Sequence, residues 1–218
     1  MKWVDKFLKW LNNDEKETVT SAEGVKSPRR ARTEGVFEII IVSDNHGDTR
    51  SLYRVLEHQD EADFYLHCGD SNLPPDWDCT EPFIIVKGNT DYNDDYQLHE
   101  HLQLPTGENI WITHGHKEFV GMMPERIIHM ARTSFLEKTP HIILYGHLHK
   151  VDVRMEEGFL IINPGSIMEP RDGIIKTYAK LTVSPDRYKI DIYDSADHDI
   201  IKEFQFPRPT APKHQIPE

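Results

Sequence analysis

Nowhere does the chain string together apolar residues over the roughly eighteen positions that a membrane-crossing helix needs, and the apolar residues of its start, MKWVDKFLKWL, are interrupted by Lys6 and Lys9. Neither a transmembrane helix nor a cleavable signal peptide is expected. Cysteine is scarce: Cys68 and Cys79 are too few for a disulfide framework and lack the CxxC spacing of a zinc or redox pair, which favours a reducing cytoplasm. Positive charge is also short, with 25 Lys and Arg against 37 Asp and Glu for a formal net charge of −12. Coating a nucleic-acid backbone needs cations to displace condensed counterions, so no specific nucleic-acid binding is expected. A small phosphorylated substrate stays open, because bound divalent cations reverse the local field of carboxylates.

What the chain does contain suits one globular domain, since 218 residues with 38% hydrophobic side chains leave room for a sizeable core. Residues 1–11 have the pattern of a short amphipathic helix, with Trp3, Phe7, Trp10 and Leu11 on one side and Lys2, Lys6 and Lys9 on the others. Such a segment is suited to weak docking on an anionic membrane surface or a protein partner. Apolar periodicity then stops, so residues 1–35 are read as this segment plus a flexible linker. The domain proper is expected over residues 36–206, followed by a proline-rich tail, 207–218.

Within the domain an apolar run short enough for a strand is followed, five times, by polar residues rich in Gly, Asp, Asn or His. FEIIIV (37–42) leads into SDNHGD, DFYL (63–66) into HCGD, FIIV (83–86) into KGNTD, NIWIT (109–113) into HGH and HIILY (141–145) into GHLH. Helical patterns lie at 49–58 and 124–137, and the alternation indicates an α/β domain. After His149 two-residue alternation takes over in KVDVRM, FLIIN, YAKLTV and YKIDIY. These segments read as antiparallel strands of a second sheet, packed on the first with helices covering the outside.

In open α/β sheets, ligands bind beyond the carboxyl ends of the strands, where loops converge. Every candidate ligand falls there: Asp44 and His46, two apart and so expected on one side of an extended backbone, then Asp70, Asn89, His114, His147 and His149. Taken alone, Asp44-Asn45-His46-Gly47, Gly69-Asp70 and Gly88-Asn89 are ordinary turn sequences, and His147-Leu148-His149 is as readily a surface pair. Five independent turns have no reason to repeat that chemistry behind five strands of one domain, whereas a shared metal site does. Carboxylate, amide oxygen and imidazole together suit borderline-hard cations such as Mn2+, Fe or Zn2+. Around them, His67 and Cys68 read as core or supporting groups, His99, His101 and His129 as solvated, and residues 91–100 as an exposed acidic loop. His116 reads as a turn residue or a substrate contact.

The ordered series Asp44-x-His46, Gly69-Asp70, Gly88-Asn89, His114-Gly115-His116 and Gly146-His147-x-His149 resembles the calcineurin-like metallophosphoesterase superfamily, from about Val36 to Tyr193. Asn163-Pro164-Gly165-Ser166 and Pro170-Arg171-Asp172-Gly173 resemble segments of its small bacterial and archaeal phosphodiesterases of the YfcE type. The resemblance implies a four-layer α/β/β/α sandwich of two mixed sheets with helices on the outer faces. It implies one metal ion on Asp44, His46, Asp70 and His149, a second on Asp70, Asn89, His114 and His147, and Asp70 as the bridge. Two cations about 3.5–4 Å apart bring the pKa of a shared water from 15.7 toward about 7, making hydroxide available for in-line attack on phosphorus. Mn2+ is the expected metal, with Ni2+, Fe or Zn2+ as alternatives, and Asn89 and His114, with the metal-bound water, are the expected catalytic groups.

The sequence departs from much of the superfamily at Thr90, where a Gly-Asn-His motif would supply a general-acid histidine. A threonine hydroxyl does not titrate near neutrality, which favours diesters or activated esters over alkyl monoesters. The expected function is therefore phosphate diester hydrolysis. A phosphomonoesterase on nucleotides or phosphoproteins and a non-catalytic scaffold of the same fold are the alternatives, and the oligomeric state is open.

Overall fold

The computed structural model describes residues 35–92, 94–133 and 141–209. The readings made for residues 1–34, for the helix beyond Thr133 and for the tail beyond residue 209 lie outside the described residues. Those described form β1 (Phe37–Val42), α1 (Thr49–His58), β2 (Phe64–His67), β3 (Phe83–Ile85), β4 (His99–Gln103), β5 (Asn109–Thr113), α2 (Arg126–Thr133), β6 (Ile142–Leu144), β7 (Val151–Glu156), β8 (Phe159–Pro164), β9 (Thr177–Val183), β10 (Arg187–Asp194) and β11 (Ile200–Pro207). No helix among them is long and apolar enough to cross a membrane.

The strands pair into two mixed sheets, ordered β11-β10-β9-β1-β2-β3 and β4-β5-β6-β8-β7. Strands β1, β2 and β3 run parallel in the first, and β5, β6 and β8 run parallel in the second. Antiparallel strands flank both.

Alternation along the central strands decides the layers. Ile39 and Ile41 of β1 point between the sheets, where they join Leu66 and Leu181 in packing with Ile112 and Leu144 of the other sheet. Ile40 and Val42 point the opposite way and are covered by Leu52 and Val55 of α1, three residues apart on one helical face. Asp48 caps that helix by accepting a hydrogen bond from the Arg50 N–H (3.2 Å). On the second sheet Trp111, Ile143 and Ile161 face outward and are covered by Ile127, Ile128 and Ala131 of α2. The result is a four-layer α/β/β/α sandwich. Strands such as β6 and β8 read as unbroken apolar runs because they are buried on both faces.

Pairing corrects one expectation. The later strands do not build a separate sheet: β9 pairs with β1 and carries β10 and β11 into the first sheet, while β7 and β8 extend the second. A strand as apolar as β1 is stable in a sheet centre with partners on both edges, and β2 and β9 supply them. The candidate ligands accordingly follow strands of both sheets. Two edge strands also lie where no strand was expected: β4 within the 91–107 region and β11 reaching Pro207. Strand β4 is mostly polar and β11, though rich in apolar residues, is mostly exposed, and proline is tolerated at such an edge because it has no N–H to leave unpaired.

Ile112 is fully buried between the sheets. Ile112→Ala is expected to cost about 2–5 kcal/mol, seen as a lower urea midpoint at unchanged slope. A cost below about 1 kcal/mol would contradict that placement.

Candidate metal centre

Five of the candidate ligands sit in left-handed backbone at one rim of the sandwich: Asp44 (φ 55°), His46 (44°), Asp70 (55°), His147 (66°) and His149 (56°). Residues with a Cβ adopt this region rarely and keep it where the surroundings fix it. It corrects the extended-backbone reading of Asp44 and His46, which converge because the turn folds back. Backbone hydrogen bonds hold the turns together: Asp44 N–H donates to the Gly69 carbonyl (3.1 Å), His46 N–H to Asp70 (3.1 Å) and Gly146 N–H to His114 (3.1 Å). Two glycines let the turns touch. A Cβ on Gly88 would fall 2.1 Å from Asp70 Oδ1, and one on Gly146 would fall 2.0 Å from Ser43 Oγ.

Hydrogen bonding then decides what each imidazole presents. His149 Nδ1–H donates to the Glu169 carbonyl (2.6 Å) and His46 Nδ1–H to Asn72 Oδ1 (3.2 Å). Each neutral ring is left with a bare Nε2, and the two nitrogens lie 3.4 Å apart. His149 Nε2 is also 3.1 Å from Asp44 Oδ1, a buried oxygen left without a hydrogen-bond donor while that ring is neutral. With Asp70 these donor atoms all lie within 4.8 Å of one another.

A second group repeats the pattern. His114 Nδ1–H donates to the Cys68 carbonyl (2.7 Å), leaving Nε2 opposite Asp70 Oδ2 (3.3 Å) and Asn89 Oδ1 (3.1 Å). The His147 ring stands 5.1 Å from that of His114, and the His147 backbone N–H donates to Asp44 Oδ2 (3.2 Å). The rim thus brings together all seven candidates.

Lone pairs opposed at such distances call for positive charge. Burial works against charge on His114 and His149, but the carboxylates of Asp70 and Asp44 outweigh it and raise both pKa values. Burial likewise opposes ionisation of Asp70, yet His114 and the Thr90 N–H hold its carboxyl well below the usual range. Imidazoles anchored through the far nitrogen and carboxylates with a free oxygen are the donors a divalent cation takes, so the residues fit such an ion.

Residues 37–186 match the model of the calcineurin-like phosphoesterase superfamily domain. The chain belongs to this superfamily. It is 34% identical over 166 residues to the probable metallophosphoesterase YsnB of Bacillus subtilis (strain 168), covering 75% of this chain and 95% of that protein. It is also similar to the crystal structure of a conserved uncharacterized protein, a predicted phosphoesterase, from Streptococcus pneumoniae TIGR4. That match has a TM-score of 0.72 and 31% identity over 81% of this chain and 100% of the other. Yfce, a phosphoesterase from E. coli, shares the fold with a TM-score of 0.56 and 20% identity over 77% of this chain and 98% of its own.

Several supports of this superfamily centre escaped sequence reading. Asp94 and Asp95 are exposed as expected, but Asp91 is buried. Its Oδ2 accepts the N–H groups of Asp70 (2.9 Å) and Gly88 (2.8 Å) and its Oδ1 that of Asn72 (2.6 Å), so one carboxylate fastens two ligand turns. Its signal was a carboxylate two places after Asn89, a common turn device. The Asn163 amide donates to the Gly146 carbonyl (2.8 Å) and Ser166 Oγ to that of Asp44 (2.9 Å), which gives the Asn-Pro-Gly-Ser segment a bracing role. His67 accepts from the Gly69 N–H (3.1 Å) and contacts Asn45 Oδ1 (2.8 Å), and burial pushes its pKa down to about 4, in keeping with a supporting role.

His116 lies 5.3 Å, ring to ring, from His114, and burial, with His114 and Lys117 nearby, pushes its pKa to about 4. His99 is not simply solvated: its Nε2 is 2.8 Å from the fully buried Glu118, which Thr113 Oγ1 also contacts (3.0 Å). His101 and His129 are exposed.

Asp91→Asn turns one acceptor into an amide facing N–H donors and is expected to cost about 1–3 kcal/mol in chemical denaturation; an unchanged midpoint would remove the fastening role. A second expectation follows from the raised pKa values. His114 and His149 take up protons above the ordinary imidazole value of 6.5, so a divalent ion must displace them, and its affinity falls as pH drops through that range. Calorimetric titration with Mn2+ at about pH 6 and about pH 8 should show tighter binding at the higher pH, with proton release; equal affinities would contradict the assignment.

Proposed function

We propose that the chain hydrolyses a phosphate diester at a pair of divalent ions, Mn2+ foremost, with Asp70 between them. The observation that supports this most is that two sets of opposed lone pairs share Asp70. It groups with Asp44, His46 and His149 on one side and lies 3.3 Å from His114, beside Asn89, on the other. A carboxylate suits that place, because its two oxygens can each serve a cation while its charge offsets their repulsion.

Bound divalent ions would supply Lewis acidity toward phosphoryl oxygens and an ionised water near neutral pH. The chain supplies orientation. Asn89 is exposed, and with its Oδ1 turned to His114 its amide N–H groups are left for a phosphoryl oxygen. His114 is held by the Cys68 carbonyl, so its Nε2 needs no reorientation when the centre is loaded.

Thr90 shapes the specificity. Its N–H donates to Asp70 Oδ1 (2.8 Å), and its hydroxyl is engaged with the Asn72 amide (3.2 Å). Position 90 therefore offers no titrating proton to a departing alkoxide. Leaving groups stable as anions are favoured, which supports diesters of acidic alcohols over alkyl monoesters. Free, buried Cys68 and Cys79 fit a reducing cytoplasmic setting.

With Mn2+-loaded protein, bis(4-nitrophenyl) phosphate is expected to show a higher kcat/KM than 4-nitrophenyl phosphate, and Asp70→Ala to lower it about 100-fold or more. A monoester preference would favour a phosphatase acting on nucleotides or phosphoproteins. Equal rates for wild type and Asp70→Ala would favour a non-catalytic scaffold.

A further inference from the structure

A cavity of about 480 Å³ opens beside the centre, with Asn89 and His116 in its wall. That is far more space than a scissile phosphate needs and lies within the range of small-molecule pockets. The His116 ring stands 5.3 Å from that of His114 and 6.3 Å from that of His147, so the cavity is continuous with the candidate ligands.

Its charged groups are not all paired. Four charged side chains line it, Lys87, Asp91, Asp94 and Lys117. Asp91 gives both oxygens to backbone N–H groups of the ligand turns. Lys87 Nζ pairs with Asp94 at 2.5 Å. Lys117 is exposed and makes no ion pair among the described residues. The wall is formally neutral, two lysines against two aspartates, and Lys117 is its one charged group with neither an ion-pair partner nor hydrogen-bonded N–H groups facing it among the described residues. A neutral leaving group would leave that cation without a counterpart, whereas an anion would be drawn to it. Gln97 and Leu98, also in the wall, add an amide and an apolar surface for the link between the two charges.

Resting on the phosphodiesterase reading, we propose that this cavity receives the leaving-group half of the substrate, and that this half carries a second anionic group, a carboxylate or a further phosphate, which Lys117 meets. The substrate class is then a diester of an anionic alcohol. Lys117 acts on specificity and leaves the chemistry at the centre untouched.

Three non-hydrolysable ligands of similar chain length test the idea: propylphosphonate, 3-phosphonopropionate and propane-1,3-bisphosphonate. Their affinities for the Mn2+-loaded protein would be measured by calorimetry and as competitive inhibition of bis(4-nitrophenyl) phosphate turnover. At least one ligand with a second anion is expected to bind about threefold to fivefold more tightly than propylphosphonate, with the advantage shrinking at high salt. The better of the two identifies the second group. Lys117→Glu is expected to abolish the advantage while leaving kcat/KM for bis(4-nitrophenyl) phosphate within about twofold. Equal affinity for all three ligands would overturn the proposal. So would an advantage that Lys117→Glu retains, since the second anion would then sit on the metal ions. Failure of the wild type to turn over bis(4-nitrophenyl) phosphate counts against the phosphodiesterase reading instead, and the calorimetric comparison still decides the cavity.

Discussion

Opposed lone pairs at one rim of the sandwich are the constraint that organises this molecule. Imidazole nitrogens face carboxylate oxygens, an amide oxygen and one another at 3.1–3.4 Å, and such lone pairs repel unless positive charge stands between them. The turns that carry them are strained, with Asp44, His46, Asp70, His147 and His149 all at positive φ. A fold that keeps such an arrangement must compensate elsewhere, and it gains from any cation that binds the folded state alone.

The compensation lies in the layers beneath the rim. Three apolar clusters, one between the sheets and one under each helix, fix the central parallel strands. Their carboxyl ends supply the turns, so the ligand positions inherit the rigidity of the core. Gly88 and Gly146 then allow neighbouring turns a separation that any Cβ would prevent, and Asp91, Asn163 and Ser166 tie those turns together through backbone groups. Orientation is settled one atom further out, where the carbonyls of Cys68 and Glu169 and the Asn72 amide decide which nitrogen each imidazole shows.

How much of this could be read from the chain depended on the kind of information each feature carries. Strands β1 and β5 and helix α1 were legible because periodicity reports which face is buried. Which edges pair is not encoded that way, so the union of β9 with β1 was missed. Strand β4, His-Glu-His-Leu-Gln, was missed because an edge strand with a wet face need not look apolar. The seven candidate ligands stood out because one chemistry recurs after five strands. Asp91 did not, since its partners are N–H groups up to twenty-one positions away, and backbone groups leave no trace in side-chain identity. The left-handed turns were equally hidden, because Asp and His are compatible with several backbone conformations.

The central claim is that two cations settle among these opposed donors. Anomalous diffraction at the manganese absorption edge, from crystals of Mn2+-loaded protein, tests it most directly. Two peaks per chain are predicted, one among Asp44, His46, Asp70 and His149 and the other among Asp70, Asn89, His114 and His147. Peaks elsewhere, or no ordered peak at this rim in protein shown to be loaded, would contradict the account.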